Sequence, residues 1–555
     1  MKKPVIAIGL DATEPALLEG WISTGKLKNL AKLLETGSYQ RLQNIGYYRA
    51  ETPWTTFLTG CTPQTTGYWG PVKYHASTYD VEKVGAYKFE GLSPFYALDD
   101  QKVAVFDMPQ TTLVDGLNGV QVLAWGAHSP QVARGSQPAS LFETLTKQFG
   151  EHPAFGRDHA NIYSRSSIAT LQQRLEIGID RRGQICSHFL KNDEWDLLLT
   201  VFGEAHAAGH YMWHLNESSH PLYPDQVTKG KNSLLSVFQA IDTAIGEIVE
   251  AAPKDSTVVV FSAHGMQNNN LDVTSTFFLA ELLYRWNFPG KIGFSHNPNQ
   301  KVQEPIKGMR ARRRWYQQIW AQKHDKNPLT RFLRAQMPTK AHRIFDQFRR
   351  LLGYKNTSDF VSPYTLQNTG GDFDWQSATW YKPAWSRMKA FALPSFSEGY
   401  VRINLKGRDA EGIVEPEDYD AVCDEVIAEL KALVDSRSGQ PVVQEVIKTR
   451  THAMQSDDGL PDADLVVMWN EEYLTDIIQS PSFGTIGPVP YQRTGSHTPN
   501  GFLLINGPDH ESKKSSSVAS ALDLAPTILD LMGVSIPDYF EGNSLVSKAK
   551  VTTPV

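Results

Sequence analysis

The sequence predicts an α/β fold with a mostly parallel central sheet. Short, continuous apolar runs alternate with longer segments of helical periodicity, and the clearest runs are residues 5–10, 195–202 and 257–261. Strands that are apolar along their whole length are typical of sheets covered by helices on both faces. Alternation of such strands with helices favours parallel pairing through helical crossovers.

Each of these apolar runs ends in polar side chains. Asp11 follows the first run, Glu204, His206 and His210 follow the second, and His264 follows the third. Open α/β sheets hold their ligands at the carboxyl ends of the strands. Each residue alone has an ordinary explanation, because Asp11 can cap a helix and the histidines can be plain core residues. Their shared position predicts a functional site at this edge of the sheet.

His206 and His210 are four residues apart in the segment that follows the second run. On a helix, this spacing places both imidazoles on one face, one turn apart, where they can share a metal ion. The alternative is two buried histidines without a ligand. The polar residues at the other strand ends favour the interpretation as a metal site.

Thr52 and Pro53 form a favoured pair for the N-cap and first turn of a helix. We expect a short helix over residues 54–59, ended by Gly60. A hydroxyl at a helix N-terminus lies where free N–H groups attract anions, so Thr52 is a candidate nucleophile toward a phosphate. Thr55, inside the helix, is a weaker candidate. The simpler interpretation is that Thr52 only caps the helix.

Composition narrows the class of protein. The chain has 555 residues, 41% hydrophobic and 21% charged, with a net charge of -6, so a soluble protein with more than one core and no specific nucleic-acid partner is expected. Three scattered cysteines without a C-x-x-C pattern fit a reducing compartment. The apolar N-terminal run is too short for a signal peptide, and no run is long enough to cross a membrane. We therefore expect a cytoplasmic protein.

The charge distribution suggests three parts. Residues 1–285 would form the first part of the core, 286–385 a basic helical insertion acting as a cap, and 386–555 the return to the core. Residues 301–355 contain 15 Lys or Arg against 3 Asp or Glu, most densely at 312–314 and 349–350. Such a segment can attract an anionic substrate, a membrane surface or an acidic partner, or it can be a solvated helical face.

Several motifs together resemble a known family. They are Gly9–Thr13, Trp54–Gly67, Gly203–His214, Ser262–Met266 and Gly495–His497, in this order along the chain, and a closing segment at Asp523–Gly533 is similar too. The set resembles the alkaline phosphatase superfamily, and within it the type I phosphodiesterase and nucleotide pyrophosphatase branch. The resemblance implies an alkaline-phosphatase-like three-layer α/β/α sandwich with a mostly parallel sheet and a helical cap.

The resemblance also implies a centre of two divalent metal ions. The first ion would be held by His206, His210 and His497, where the family's usual aspartate is replaced by His206. Three histidines are a familiar zinc set, so one or two Zn²⁺ ions are expected, with Mn²⁺ as an alternative. The second ion would be held by Asp11 and His264.

Two positions depart from the family pattern. The aspartate expected before His264 is Ala263, so Glu204 or Glu51 would have to supply the missing carboxylate. Counting back from Thr59 to the family's nucleophile leads to Ala50, which has no hydroxyl. Thr52 is then the proposed nucleophile, and the alternatives are a water molecule or lost activity.

The function implied by the resemblance is metal-assisted hydrolysis of a small phosphate ester, a diester rather than a monoester, by in-line attack. Two rival hypotheses follow from the departures. The protein could be a metal-binding scaffold that no longer turns over, or a transferase that passes the phosphoryl or another group to an acceptor other than water. A homo-oligomer is compatible with the sequence.

Overall fold

The computed structural model describes residues 3–85, 91–126, 133–223, 232–294, 304–309, 314–325, 327–336, 341, 344, 359–508 and 514–546. In these ranges the strands are β1 (Val5–Leu10), β2 (Ser38–Gln43), β3 (Val72–His75), β4 (Asp80–Lys83), β5 (Val103–Phe106), β6 (Gly119–Leu123), β7 (Gly135–Gln137), β8 (Leu197–Phe202), β9 (Thr257–Ser262), β10 (Gly265–Asn268), β11 (Ala390–Leu393), β12 (Gly399–Ile403), β13 (Val434–Asp435), β14 (Val443–Lys448), β15 (Leu465–Trp469), β16 (Ile478–Ser480), β17 (Gly484–Ile486), β18 (Gly495–Thr498), β19 (Asn500–Asn506) and β20 (Lys514–Ser520).

The α-helices of the described ranges are α1 (Pro15–Ser23), α2 (Lys28–Thr36), α3 (Pro53–Thr59), α4 (Pro63–Thr66), α5 (Leu141–Phe149), α6 (Arg165–Asn192), α7 (Gly203–Met212), α8 (Ser233–Ala251), α9 (Leu279–Asn287), α10 (Trp315–Trp320), α11 (Pro328–Gln336), α12 (Pro363–Asn368), α13 (Ser377–Trp380), α14 (Lys382–Trp385), α15 (Tyr419–Lys431) and α16 (Leu524–Leu531). Short 3₁₀ turns lie at Trp213–Leu215, Pro416–Asp418 and Ala521–Asp523, and a π-helical turn lies at Thr274–Phe278.

A large sheet of nine strands forms the centre of the described fold, in the order β20-β2-β19-β9-β1-β8-β5-β6-β7. The pairings β9-β1, β1-β8, β8-β5, β5-β6 and β2-β20 are parallel. Strand β19 runs antiparallel to both of its neighbours, and β7 runs antiparallel to β6. The predicted α/β class with a mostly parallel sheet is therefore confirmed.

Both faces of the sheet are covered, because alternate residues of β1 enter different cores. Ile6, Ile8 and Leu10 pack into a core with residues of α1, α2, α6 and α8. Val5 and Ala7 pack on the opposite face with residues of α3 and α16. This alternation of a buried strand between two helical layers produces the three-layer α/β/α sandwich.

A second sheet, in the order β11-β12-β15-β14, is antiparallel throughout and comes from residues 390–469. It shares an aromatic-rich core with α9 and α15. Strands β11 and β12 pair so that Ala390 lies opposite Ile403. The densest basic clusters of the predicted insertion, at 312–313 and 349–350, lie outside the described residues.

The C-terminal helix of the core begins late. Strand β20 extends to Ser520, a 3₁₀ turn follows, and α16 begins only at Leu524. The Ser520 hydroxyl accepts the Leu522 N–H at 3.2 Å and the Asp523 carboxylate accepts the Ser520 N–H at 3.1 Å, so a capping box delays the helix. Strand β2 was missed because its side chains are mostly polar, with only Leu42 fully buried.

Within the described ranges, no helix has the length and hydropathy needed to cross a lipid bilayer. The three cysteines, Cys61, Cys186 and Cys423, are buried and unbridged.

Candidate metal centre

Helix α7 begins directly after β8 and carries the first two histidines of the site. The segment is helical, as the shared use of both imidazoles requires, and its alanines at 205, 207 and 208 favour helix formation. The imidazoles of His206 and His210 lie one turn apart on one face, with ring centroids 4.3 Å apart and Nε2 atoms 3.1 Å apart. Both residues are buried.

His497 reaches the same point from strand β18, which pairs with β10 so that His497 lies opposite Met266. A Cβ atom at Gly495 would lie 2.3 Å from the Gly209 carbonyl oxygen, so only glycine lets β18 approach α7 this closely. The His497 ring centroid lies 5.0 Å from that of His206 and 4.9 Å from that of His210. One imidazole nitrogen from each histidine lies within 4.8 Å of the other two.

The orientation of His210 is fixed by the chain that leads into β18. His210 Nδ1 lies 2.7 Å from the Gly495 carbonyl oxygen. A carbonyl oxygen only accepts hydrogen bonds, so this contact assigns the proton to Nδ1 and leaves the Nε2 lone pair directed into the cluster. A backbone acceptor on the second ring nitrogen is typical of metal-binding histidines. The Thr494 N–H also donates to the His210 carbonyl oxygen at 2.7 Å.

Arg493 is a residue of the site that the sequence analysis missed. Its Nε and Nη2 donate to Asp272 at 2.7 and 2.8 Å, and its Nη1 lies 3.0 Å from His210 Nε2. The guanidinium group therefore lies at the edge of the cluster with a fixed orientation. Its only sequence signal is a basic residue two positions before Gly495, which is weak without the strand pairing.

Asp11 and His264 form a second polar pair beside the three histidines. His264 Nε2 lies 3.6 Å from Asp11 Oδ1, and the His264 ring centroid lies 4.9 Å from that of His497. The indole N–H of Trp54 donates to the same Asp11 oxygen at 3.0 Å. The structure thus brings together all five residues predicted as metal ligands.

A cavity of about 540 Å³ opens next to the histidines. One part of its wall carries the polar side chains of Glu51, His206, Arg493 and His497, with Ala50 among the lining residues. Another part is aromatic and consists of Tyr211, Trp315, Tyr316, Trp375 and Phe396. A cavity of this size with a few convergent polar groups is typical of small-molecule sites.

Thr52 precedes α3 as predicted, but its side chain is fully buried. Its hydroxyl donates to the Tyr48 carbonyl oxygen at 2.9 Å. Ala50, two residues earlier, is half-buried and lines the cavity. Among the described lining residues, the α3 entry segment contributes Ala50 and Glu51 rather than Thr52.

The Glu51 carboxylate is held by hydrogen bonds from a second loop. Its oxygens accept from the Phe396 N–H at 3.1 Å, the Tyr400 hydroxyl at 2.9 Å and the Ser397 hydroxyl at 2.8 Å. Ser397 also contacts Glu398. Burial, followed by the charge of Glu398, raises the pKa of Glu51 from 4.5 to about 7.

The Glu204 carboxylate lies among the side chains of a different buried network. Its Oε1 accepts from Arg182 Nε at 3.1 Å and lies 2.9 Å from His152 Nε2, and Arg182 also binds Asp107 at 2.7 Å. Burial alone would raise the pKa of Glu204, but the charge of Arg182 and the contacts with His152 lower it to about 2. Glu204 is therefore ionised and bound to Arg182 and His152.

The three histidines fit a divalent metal that prefers imidazole nitrogen. Three protein ligands with an open fourth position are the usual arrangement of a catalytic zinc site. The pair of Asp11 and His264 offers only two protein ligands, because position 263 is alanine. Position 263 is fully buried and its carbonyl oxygen accepts from Asn44 Nδ2 at 3.0 Å.

Fold and site together define a three-layer α/β protein with a histidine cluster at the carboxyl edge of its parallel strands. The chain belongs to the type I phosphodiesterase / nucleotide pyrophosphatase family, whose family model matches residues 5–343, more than half of the sequence. The family predicted from the motifs is thus confirmed. No curated protein matches the chain.

Several solved structures are similar to this chain over almost its whole length. Phosphonoacetate hydrolase from Sinorhizobium meliloti 1021, in complex with phosphonoformate, has 14% identity and a TM-score of 0.46, with 96% of each chain covered. The wild-type alkaline phosphatase PafA has 12% identity and a TM-score of 0.49, with 98% of each chain covered. Murine ectonucleotide pyrophosphatase / phosphodiesterase 5 has 10% identity and a TM-score of 0.45, with 96% of each chain covered.

Two further histidines, His214 and His220, are buried next to the site. Burial lowers the pKa of His214 from 6.5 to about 4. Burial, and then the charge of His214, lower the pKa of His220 to about 3. His220 Nδ1 accepts the Leu222 N–H at 3.0 Å, so the native protein holds this ring in its neutral form.

We expect the free energy of unfolding of the metal-free protein to fall as the pH drops from about 6.5 toward 4. The unfolded chain takes up a proton on each histidine in this range while the native protein does not, and each contributes up to about 1.4 kcal/mol per pH unit. Urea unfolding in the presence of a chelator measures this slope. His220→Asn keeps an acceptor for Leu222 and removes one titrating group, so its slope is shallower. A variant as steep as the wild type would contradict the assignment.

Proposed function

We propose that this protein is a metal-dependent hydrolase of phosphate esters. The observation that carries the proposal is the convergence of His206, His210 and His497 from a helix and a distant strand, with His206 and His497 on the wall of the cavity of about 540 Å³. Membership of the phosphodiesterase family gives the reaction class. The predicted zinc ion is part of the proposal, with manganese as the alternative.

The roles of the side chains follow from their chemistry. His206, His210 and His497 would hold the ion as neutral imidazoles. When bound, such an ion supplies a Lewis acid for the phosphoryl group and lowers the pKa of a water molecule. Arg493 would bind the phosphate oxygens, because Asp272 holds its guanidinium group at the edge of the cluster on the cavity wall. Its Nη1 lies 3.0 Å from His210 Nε2 and would be released to the phosphate when the ion takes that nitrogen.

We propose one bound ion per chain. The second position implied by the family would keep only Asp11 and His264, and the Trp54 N–H already occupies one oxygen of Asp11. Two protein ligands are fewer than zinc sites use. Glu204 and Glu51, predicted as replacement ligands, have their carboxylates in other hydrogen-bonded networks.

A diester is the favoured substrate class. The aromatic part of the cavity wall offers apolar surface for the second ester group, and includes Trp315, Trp375 and Phe396. A monoester would leave that surface exposed to water. Burial of aromatic surface against a ligand group is favourable, so the cavity should select for the additional group.

The attacking oxygen has two candidates, the predicted Thr52 hydroxyl and a water molecule. The buried position of Thr52, with its hydroxyl on the Tyr48 carbonyl, favours water. The half-buried Ala50 side chain lines the cavity, where a water molecule has access.

Three other predictions remain proposals. They are the domain boundaries 1–285, 286–385 and 386–555 with a basic cap over the site, the cytoplasmic location, and the homo-oligomer. Limited proteolysis would test the domain boundaries, cell fractionation would test the location, and analytical ultracentrifugation would test the homo-oligomer.

We expect His210→Ala to lose both the bound metal and the hydrolytic activity. Removing one of three ligands leaves too few donors, so bound zinc should fall from about one ion per chain to a small fraction of that. Turnover of bis(4-nitrophenyl) phosphate should fall at least about a hundredfold. Metal analysis by mass spectrometry and the colour of nitrophenolate measure the two quantities on the same samples.

His214→Ala is the matched control, because it removes an equally buried imidazole one turn further along the chain. It should keep its metal. Metal loss in both variants would point to general destabilisation. Stoichiometric metal without turnover in the wild type would favour the scaffold hypothesis, and activity that survives in His210→Ala would contradict the proposed centre.

We expect Thr52→Val to retain kcat/KM within about threefold, because the isosteric side chain removes only the hydroxyl. Thr52→Ser would not be informative, because serine keeps the hydroxyl. A loss of more than about a hundredfold at an unchanged melting temperature would show that Thr52 is the nucleophile. Intact-mass analysis after rapid acid quenching provides a second readout, because a phosphothreonine adds mass only if Thr52 attacks.

A further inference from the structure

Exposed apolar side chains are concentrated in the basic insertion. Leu329, Phe332 and Ile344 are 63%, 61% and 66% exposed, more than any other large apolar side chain that the structure describes. Single apolar side chains scattered over a surface are normal, whereas several of them in one short segment mark an interaction site. The insertion therefore presents a surface that another molecule can cover.

Helix α11 carries two of these side chains on one face. Leu329 and Phe332 are three residues apart, so they project from the same side of the helix. Arg334 projects from the opposite side, where it is buried, donates to Asp325 at 2.7 Å and lies 5.5 Å from the centroid of the Trp320 ring. The inner face of α11 is thus fixed to the protein, and its outer face is apolar and exposed.

The charge of this segment is opposite to that of the rest of the chain. Residues 301–355 contain 15 Lys or Arg and 3 Asp or Glu, a net charge of +12. The whole chain has a net charge of -6, so the remaining residues carry -18. One of the three acidic residues, Asp325, is already bound by Arg334. The segment therefore cannot neutralise its own positive charge, and it combines that charge with exposed apolar side chains.

We propose that the insertion docks on the surface of a bilayer that contains anionic lipids. The Lys and Arg side chains are attracted to the anionic head groups. Leu329 and Phe332 leave water when they enter the boundary between head groups and acyl chains, which is favourable for apolar side chains. Docking of this kind is peripheral and reversible, and it goes beyond the proposed hydrolysis.

The apolar side chains favour a bilayer over other anionic partners. A nucleic acid or an acidic protein is attracted by the same positive charge. Phosphate and carboxylate groups give the aliphatic side chains of Leu329 and Ile344 no apolar surface to bury against. A bilayer offers both an anionic layer and an apolar layer beneath it, and so matches both features of the insertion.

Docking would also place the large cavity close to the membrane. The Arg334 guanidinium group of α11 lies over Trp320, the last residue of α10. Helix α10 begins with Trp315 and Tyr316, which line the cavity of about 540 Å³. The helix proposed to lie on the bilayer is therefore in contact with the helix that forms part of the cavity wall.

Sedimentation of the full-length protein with lipid vesicles tests the proposal. Vesicles of phosphatidylcholine with about 30 mol% phosphatidylglycerol are compared with vesicles of phosphatidylcholine alone. We expect at least about tenfold stronger binding to the anionic vesicles, and weaker binding when sodium chloride is raised from about 0.1 M to about 0.5 M. Equal binding to the two kinds of vesicle, or binding to neither, would overturn the proposal.

A double variant assigns the docking to α11. Leu329→Ser with Phe332→Ser should weaken binding to the anionic vesicles by at least about tenfold, because both side chains lose their apolar contact with the bilayer. Ile413→Ser with Met454→Ser is the matched control, since it removes apolar side chains that are 47% and 53% exposed outside the insertion. The control should bind like the wild type. If the α11 variant folds, by circular dichroism, and binds vesicles like the wild type, the assignment is wrong.

Competition separates a bilayer from other anionic partners. A DNA duplex and polyglutamate are added to vesicle-bound protein at the same concentration of negative charge as the anionic lipid. We expect most of the protein to stay on the vesicles, because neither competitor provides an apolar layer. Release of most of the protein by either competitor would overturn the bilayer as the partner.

The docking can be separated from the proposed hydrolysis with one further variant. His210→Ala, which should lose metal and turnover, should still bind the anionic vesicles like the wild type, because α11 does not depend on the histidines. Vesicle binding by a protein without hydrolytic activity would overturn the proposed function and leave the docking surface. Hydrolysis by a protein that does not bind vesicles would overturn the docking surface and leave the hydrolase.

Discussion

The link between His210 and the Thr494–Gly495 segment is the contact on which the geometry of the site depends. His210 donates through Nδ1 to the Gly495 carbonyl, and its own carbonyl accepts the Thr494 N–H, each at 2.7 Å. The first of these hydrogen bonds joins positions 285 residues apart, and the second joins His210 to the residue before Gly495. The link orients one imidazole, fixes its tautomer and places His497 next to it.

Close approach of two backbones makes that link feasible. Strand β18 contacts α7 at a point where each of the two segments has a glycine. Any side chain at Gly495 would collide with the Gly209 carbonyl. The fully buried Arg182 binds both Asp107 and Glu204, which lies in the first turn of α7, so the start of the helix is held by a second set of contacts. Removing one member of such a buried ionic network lowers the free energy of unfolding by about 3–5 kcal/mol. These contacts therefore fix the position of α7.

Much of this arrangement could be predicted from single residues and spacing. The apolar runs predicted the parallel strands, and the polar residues that follow them predicted Asp11, His206, His210 and His264 at one edge of the sheet. His497 followed from the resemblance to a family. The strand ends are informative because parallel strands place their carboxyl ends together whatever the details of packing.

The rest depended on contacts between distant segments. Arg493 has no local pattern, and its role appears only once Asp272 and His210 lie on either side of it. Glu204 was a candidate ligand because it lies two residues before His206. Residues two apart on a helix point to different faces, and the Glu204 carboxylate binds Arg182 instead. Strand β2 gave no signal in the sequence because it lacks an apolar face, and its place in the sheet is set by pairing with β19 and β20.

We propose that three histidines hold a single metal ion next to Arg493. Anomalous diffraction at the zinc edge, from crystals grown with zinc, would locate that ion. We expect one peak, about 2.0–2.1 Å from an imidazole nitrogen of each of His206, His210 and His497. A peak between Asp11 and His264, or none near the histidines, would contradict it.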